Sequence, residues 1–589
     1  MNKWECDILN EIYENGAGNQ RQLAAACGCS LGVVNRSLRA LTEAGYLDAR
    51  LAPTGKAEAL FRASRPKNAV ILAAGFGMRM IPINTETPKG LLEIGGEPLI
   101  ERLIRQLHEA GVTDIAVVVG FMKERYEYLM DDYGVELVIN PEYAVKNNLR
   151  SLSLAADRLS DTYVLPCDVW CARNPFRRHE LYSWYMVSDG EDEASTVRVN
   201  RKQELVAVSA SAPGNGMLGI AYLAADEARI TAERVSAWSR DPRYDGAFWE
   251  AALYEGNRML LRPRVVPAGE AVEINTFEQL RELDGDSRHL RSDAIDVIAA
   301  ALGADRQEIG DIRILKKGMT NRSFLFSCRG QRYIMRIPGE GTDRLIDRAH
   351  EAAVYDVIRD RGLCDDIVYI DPATGYKITK YLENARVCDP ASEADLAACM
   401  EKLRQFHGLG LRVDHGFDIF GQIDFYESLR QGAPSVYRDY ETTKKNVRSL
   451  RPFIEENAGT PVLTHIDAVP DNFLFAPDGA GGETLRLIDW EYAGMQDPHV
   501  DVAMFCIYAL YDRARADRLI DLYFRGQCPR LTRLKIYCYI AACGLLWSNW
   551  CEYKLSLGVD FGEYSLRQYR YAKDYYRIVH GALEEEGRI

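Results

Sequence analysis

The sequence predicts a multidomain chain of α and α/β type, and three observations predict it. Its 589 residues allow about three or four domains at a typical ~150 residues each. Residues 69–139 alternate short apolar runs with amphipathic stretches, the pattern of a parallel sheet crossed by helices. Beyond residue 310 the pattern changes to strand–turn–strand–turn–strand and then to helices, which is an α+β arrangement. Apolar residues make up 47% and charged residues 27%, as in ordinary globular proteins. The net charge of −14 argues against nonspecific coating of nucleic acid or anionic lipid. Cys27-x-Cys29 and Cys167-x3-Cys171 have no matching second pair among the fourteen cysteines, so a zinc framework is not expected. With no signal-peptide pattern, reduced thiols in a cytoplasm are the expectation. The apolar stretch Ile536–Trp547 is too short to span a bilayer.

Residues 1–65 read as helices. Trp4–Tyr13 and Asn19–Ala26 are followed by a turn, Cys27-Gly28-Cys29-Ser30, whose serine caps a third helix, Leu31–Ala44. Gly45-Tyr46-Leu47-Asp48 and Leu51-Ala52-Pro53-Thr54-Gly55-Lys56 then form a small wing. The pattern L-x-x-A-x-x-x-G-x-S before a helix ending L-x-x-x-G-Y-L resembles bacterial winged helix-turn-helix regulators. The resemblance implies DNA as a partner, with Asn35, Arg36 and Arg39 near a major groove. Eight basic against seven acidic residues are a weak footprint for DNA, and dimerisation or docking stays open.

Residues 66–286 open on a buried-strand run, Ala69–Ala74, which breaks into Gly75-Phe76-Gly77-Met78-Arg79. Glycine lets the backbone approach a ligand, and Arg79 and Lys89 place positive charge on either side of a loop from Pro82 to Pro88. Leu99–Ala110 reads as a helix, Asp114–Gly120 as a strand, Met122–Asp131 as a helix and Val135–Ile139 as a strand. A further strand, Thr162–Cys167, ends at Asp168. The full string Leu72-Ala73-Ala74-Gly75-Phe76-Gly77-Met78-Arg79, then Pro88-Lys89 and Gly96-Glu97-Pro98-Leu99-Ile100, resembles the signature of the sugar-nucleotide and phosphocholine nucleotidyltransferases. That resemblance implies a Rossmann-like α/β sheet holding a nucleoside triphosphate. Ala73, Ala74, Gly75, Gly77, Arg79 and Lys89 would bind the nucleotide, with Arg79 and Lys89 as the catalytic cations. Asp168 would be a ligand to Mg²⁺, and Asn275, in a segment resembling E-I-D-S, would be the second, without the charge an Asp would bring.

Lys146-Asn147-Asn148-Leu149-Arg150-Ser151-Leu152 resembles the N-N-x-x-S-L segment of bacterial phosphocholine cytidylyltransferases, which implies CTP and phosphocholine as substrates and Asn148 as a contact. Trp170, Trp184, Tyr185, Tyr222 and Trp249 follow, and aromatic faces of this kind cage quaternary ammonium groups. For any one of them core packing is the commoner role, and Trp170 is the candidate substrate contact.

Residues 287–589 follow a polar linker, Leu283–Arg288. Strands Ile312–Leu315, Ser323–Ser327 and Arg332–Ile337 enclose a tip, Gly318-Met319-Thr320-Asn321, of the kind that covers phosphates. Arg336 stands on the outgoing strand, and Glu351, on a helix from Arg348 to Arg359, is its candidate ion-pair partner. Further on, His465-Ile466-Asp467 precedes Asn472 by the kinase spacing H-x-D-x-x-x-x-N, and Asp489 takes the place of the D-F-G aspartate. Ile378–Leu382 fits a hinge strand for adenine, and Leu403–His407 the helix below it. Met335-Arg336-Ile337-Pro338-Gly339 and Asp489-Trp490-Glu491-Tyr492-Ala493-Gly494 resemble the choline kinase and aminoglycoside phosphotransferase family, in its bacterial choline kinase branch.

This second resemblance implies a protein-kinase-like domain that binds ATP through Gly318, Thr320, Asn321, Arg336 and Glu351. Asp467 would be the base, Asn472 and Asp489 would hold Mg²⁺, and Glu491, Trp547 and Trp550, with Asp497 nearby, would surround choline. Together the resemblances imply one chain that makes phosphocholine and then CDP-choline. Ethanolamine, another amino alcohol or a phosphonate is the alternative substrate. A choline- or nucleotide-responsive transcriptional regulator is the alternative of a different class.

Overall fold

The computed structural model describes residues 1–77, 80, 87–193, 195–208, 212–285, 287–290, 292–315, 321–339, 345–556 and 561–587. They divide into two compact units, Met1–Asp296 and Val297–Ile589.

The first unit begins with α1 (Lys3–Asn15), α2 (Gln20–Ala26) and α3 (Leu31–Glu43). The Asn2 and Asn19 side chains close capping boxes on α1 and α2, and Ser30 caps α3. Ile8, Leu9, Leu23, Val34, Leu38 and Leu41 form the core between them. The expected wing is a bridge between Leu47 and Pro53, after which the chain continues into α4 (Gly55–Ala63), a helix the sequence pattern did not announce. This module is seated on the larger fold by the segment after Cys171. There His179 Nδ1 meets Phe61 O at 2.6 Å, Glu180 N–H donates to Ser64 O at 2.9 Å, and Tyr182 Oη donates to Asp7 at 2.7 Å.

The body of the unit is a seven-stranded sheet. Its strands are β1 (Asn68–Ala73), β2 (Ile115–Val119), β3 (Glu136–Ile139), β4 (Thr162–Pro166), β6 (Trp184–Asp192), β7 (Gly214–Leu223) and β8 (Arg262–Val266). A separate short ribbon pairs β5 (Val169–Cys171) with β9 (Ala271–Glu273). The strand order is β8-β6-β7-β4-β1-β2-β3. Helix α5 (Leu99–Glu109) presses Ile100, Leu103, Ile104 and Leu107 onto one face, and α6 (Asn148–Ser153) brings Leu149 and Leu152 to the other. The sheet is mixed, where the alternation of strands and helices predicts a parallel one: β7 runs antiparallel to both β4 and β6. Among the described residues no helix separates β6 from β7, and a parallel return needs a crossover of that kind, so the chain comes back beside itself.

Glu180 also reaches inward. It accepts two bonds from Arg264, at 3.0 and 2.8 Å, and one from Tyr163 Oη at 2.9 Å, while Arg264 stacks 3.6 Å over Trp184. Glu180→Gln would leave that buried guanidinium uncompensated, an expected loss on the order of 3 kcal/mol that thermal unfolding would read.

The second unit has a five-stranded antiparallel sheet in the order β10-β11-β12-β14-β13. Its strands are β10 (Ile309–Ile314), β11 (Asn321–Cys328), β12 (Gln331–Pro338), β13 (Ile367–Ile370) and β14 (Lys377–Lys380), with α7 (Arg348–Ile358) between β12 and β13. The helical part includes α8 (Glu393–Gly408), α9 (His499–Tyr508), α10 (Arg530–Ser556) and α11 (Glu563–Glu585). Gly544 lets α10 and α11 approach closely, since a Cβ there would fall 2.8 Å from Gln568 O. Among the described residues, no helix is long and apolar enough to cross a membrane.

Candidate functional site

The first site lies where β1 ends. Ala73 and Ala74 are buried, and Gly75 is exposed at the strand's exit. Gly77 has φ +64°, and a Cβ there would lie 2.8 Å from Lys89 Cγ, so both backbone and packing call for glycine. Lys89 Nζ donates to Asp168 Oδ2 at 2.6 Å and to Asn275 Oδ1 at 2.8 Å. Asp168 stands in the turn between β4 and β5, and its carbonyl accepts Ile274 N–H at 2.9 Å, which fixes Asn275 opposite. Three sequence-selected residues are thus brought onto one point. These two side-chain oxygens face one point and already share a positive charge, and their oxygen chemistry is of the type that would suit Mg²⁺. Arg79 lies outside the described residues.

Asn148, at the start of α6, has a structural task, because its Oδ1 accepts Trp249 N–H at 2.8 Å. The adjacent Glu250 is half-buried, with its carboxyl turned inward. Its Oε1 accepts Tyr185 Oη–H at 3.1 Å, and its Oε2 has no hydrogen-bond partner among the described residues. Burial pushes the Glu250 carboxyl up to about 7, with Glu273 adding a smaller repulsion. Trp170 pairs with Val272 across the β5–β9 ribbon, and Arg102 sits 5.4 Å over its ring, so a cation already occupies one face. Trp184, Tyr222 and Trp249 are core residues, each at most 1% exposed.

The second site is a cavity of about 560 Å³ in the second unit. Its lining combines Leu315, Ile334, Thr379 and Ile488 with the polar Asp467, Asn472, Asp489 and Glu491 and the aromatic Tyr492, Tyr508, Trp547, Trp550 and Tyr564. The expected pair of Arg336 and Glu351 is bidentate and buried, with Nη2 to Oε2 at 2.8 Å and Nη1 on Oε1. Burial alone would raise Glu351, but Arg336 and Lys377 hold it at about 2. Asn321 donates to Glu491 at 2.8 Å and accepts from Arg348 at 3.1 Å. Gly318 and Thr320 lie outside the described residues.

Asp467 is presented by a clamp that the motif alone does not reveal. Asp501, fully buried on α9, accepts the backbone N–H of His465 at 3.0 Å and of Ile466 at 2.8 Å, and His407 Nε2 lies 2.9 Å from it. The clamp holds Ile466 at φ +69°, a costly conformation for a β-branched residue. Asn472 Nδ2 donates to Asp467 O at 2.9 Å and to its Oδ2 at 3.1 Å. Burial first, then repulsion from Asp489 and Glu491, pushes the Asp467 carboxyl up to about 8. That crowding of carboxylates fits a divalent cation, and Asn472 and Asp489 would hold it. Among the described residues no three His, Cys, Asp or Glu side chains close around one point, so ligand or solvent oxygens would complete its shell.

Trp547 and Trp550 stand edge to face at 5.5 Å, and Tyr492 meets Trp547 at 5.9 Å. All three open onto the cavity beside Glu491. Asp497 is elsewhere: Lys535 Nζ donates to it at 2.7 Å and His499 N–H at 2.9 Å, which satisfies it inside the helical core. Lys377, Asp501, Glu250 and the tyrosines of the cavity escape sequence reasoning. Asp501 alone leaves a trace, as a lone acid in an otherwise apolar helix.

In the N-terminal module, Asn35, Arg36 and Arg39 of α3 are exposed.

Residues 69–292 match the MobA-like NTP transferase domain, residues 311–537 the phosphotransferase enzyme family, and residues 1–48 the winged helix-turn-helix DNA-binding family. The choline-phosphate cytidylyltransferase of Streptococcus pneumoniae is 43% identical over 124 residues, 21% of this chain and 54% of that protein. The chain thus spans about half the length of that relative. The 2-aminoethylphosphonate cytidylyltransferase of Lancefieldella rimae is 30% identical over 233 residues, 37% of this chain and 92% of that protein. The crystal structure of choline kinase LicA from Streptococcus pneumoniae has a TM-score of 0.42 at 28% identity, covering 48% of this chain and 97% of that one.

Proposed function

From a chain that belongs to the MobA-like NTP transferase family and carries a phosphotransferase-family domain behind it, we propose two consecutive reactions. The second unit phosphorylates choline with ATP, and the first transfers CMP from CTP to the resulting phosphocholine, giving CDP-choline and pyrophosphate.

The observation that carries this reading is the composition of the 560 Å³ cavity, where Trp547, Trp550 and Tyr492 adjoin Asp467 and Glu491. Aromatic faces suit a trimethylammonium, and an adjacent carboxylate suits its charge. Asp467 accepts the proton of the choline hydroxyl as the phosphoryl group arrives. In the first unit Lys89 turns from its carboxylate partner to the nucleotide phosphates, and the chemistry is positioning and charge stabilisation. Mg²⁺, held by Asn472 and Asp489 in one unit and by Asp168 and Asn275 in the other, would neutralise polyphosphate charge. Glu250 and Glu273 supply negative potential where a cationic acceptor head would rest.

2-Aminoethylphosphonate is the competing acceptor. It carries its phosphorus on a C–P bond and has no hydroxyl to phosphorylate, so a fused phosphotransferase would serve it no purpose. The chain retains Lys89, Asp168, Asp467, Asn472 and Asp489, which weighs against a regulator built from inactive enzyme domains. DNA remains a partner in this reading through the exposed face of α3, and a mobility shift that weakens with salt would test it.

Purified chain supplied with choline, ATP, CTP and Mg²⁺ is expected to release CDP-choline, ADP and pyrophosphate, identified by mass spectrometry. Turnover of ethanolamine or 2-aminoethylphosphonate with none of choline would overturn the substrate assignment. Trp547→Ala should raise the KM for choline about tenfold and leave that for ATP unchanged, since each cation–π face contributes roughly 0.5–2 kcal/mol. Glu250 is protonated below about pH 7 and charged above it. The KM for phosphocholine should therefore fall as pH rises from 6 to 8, and Glu250→Gln should flatten that profile.

A further inference from the structure

Two cations line the described wall of the phosphotransferase cavity, Arg336 and Lys377. They are direct cross-strand partners on β12 and β14, a position in which like charges repel. Their commitments differ. Arg336 gives Nη1 and Nη2 to the two oxygens of Glu351 and a further Nη2 bond to Gly375 O at 3.1 Å. Its Nε is buried, with no hydrogen-bond partner among the described residues. The guanidinium is therefore held as a strut between β12 and α7. Among the described residues the Lys377 side chain makes one hydrogen bond, from Nζ to Tyr355 Oη at 2.7 Å, and it stands 3.7 Å from Glu351 Oε1, beyond hydrogen-bond length. An ammonium has three donors, so two remain for a ligand. Lys377 also favours the charged form of Asp489 more than any other neighbouring cation does, which puts it beside the candidate metal ligand.

We propose that Lys377 is the residue that grips the β- and γ-phosphates of the phosphoryl donor, and that Arg336 is a positioning residue acting through Glu351. In protein kinases a single lysine on the strand of Arg336 does both tasks. Here an arginine holds the helix, and the phosphate contact passes to the neighbouring strand, whose next inward residue, Thr379, lines the same cavity. The inference rests on the phosphotransferase reading above.

Titration calorimetry on the full chain, with Mg²⁺ present, separates the roles. Lys377→Met should bind ADP and the non-hydrolysable ATP analogue AMP-PNP about 10–100-fold more weakly, while AMP, which lacks the outer phosphates, binds within about twofold of wild type. Lys377→Arg, which keeps the charge, should recover most of the ADP affinity. Equal ADP binding by wild type and Lys377→Met would overturn the assignment. So would an equal loss of AMP and ADP, because a merely structural lysine weakens both. If Lys377→Met does not fold, Lys377→Gln read by the same AMP-to-ADP ratio decides between the same outcomes. A wild-type chain that binds no adenine nucleotide would instead overturn the phosphotransferase reading, and this assignment with it.

Discussion

Asp467→Asn is expected to lower phosphoryl transfer by about 10²–10⁴-fold, the usual worth of a positioned general base, while nucleotidyl transfer to added phosphocholine continues at its full rate. The reason is local. Asp467 is half-buried, Asp501 fixes the two residues before it through the N–H groups of His465 and Ile466, and Asn472 holds its carboxylate at 3.1 Å. An asparagine fits the same space, so the clamp and the fold persist and only proton acceptance is lost. The change also replaces a carboxyl whose charged form is disfavoured by burial and by repulsion from Asp489 and Glu491, so the variant should be at least as stable to heat as the parent. Assay of each half-reaction separately, with ADP and pyrophosphate as readouts, checks this. A simultaneous loss of both activities would contradict two independent sites.

Lys89→Met is expected to cut nucleotidyl transfer by about 10²–10³-fold, the scale of removing one preorganised donor from a charge-stabilising site. It has a second, less obvious consequence. Lys89 neutralises Asp168 in a partly buried pair whose side chains are 13% and 10% exposed. Removing the ammonium leaves that carboxylate uncompensated beside Asn275, and a divalent cation is the remaining means of neutralising it. The variant's thermal midpoint should therefore rise with Mg²⁺ concentration more steeply than the parent's, because a ligand that binds only the folded state stabilises it by mass action. A midpoint independent of Mg²⁺ would mean that Asp168 and Asn275 are not the metal site. Choline phosphorylation should be untouched.

The sequence exposes these two sites to different degrees. Asp467, Asn472 and Asp489 lie within one stretch of chain, and their spacing alone specifies a loop that turns three polar groups into one cavity. The strand Ala69–Ala74 and its glycine exit are likewise local facts, set by a run of apolar residues and by a φ that glycine tolerates. Trp547 and Trp550 could be placed on one helix from their spacing, but not on its cavity side. Asp497 had the right charge and the wrong surroundings, since Lys535 reaches it from α10. Lys377 begins a hinge strand like any other, and only its register opposite Arg336 gives it meaning. Glu250 is one acid among many until burial raises it.

What the sequence by itself determined is the set of families the chain resembles, the order of its structural modules, and the chemistry-bearing residues whose partners lie a few positions away. Periodicity, turn chemistry and motif spacing are properties of a short segment, and they survive being read without the rest of the molecule. The tertiary structure alone decided which charge meets which. Lys89 joins Asn275 across 186 positions, and Asn321 joins Glu491 across 170. Those pairings depend on the crossing of distant elements and on the removal of water around them. A buried charge is set by what surrounds it, and nothing in its own segment records that.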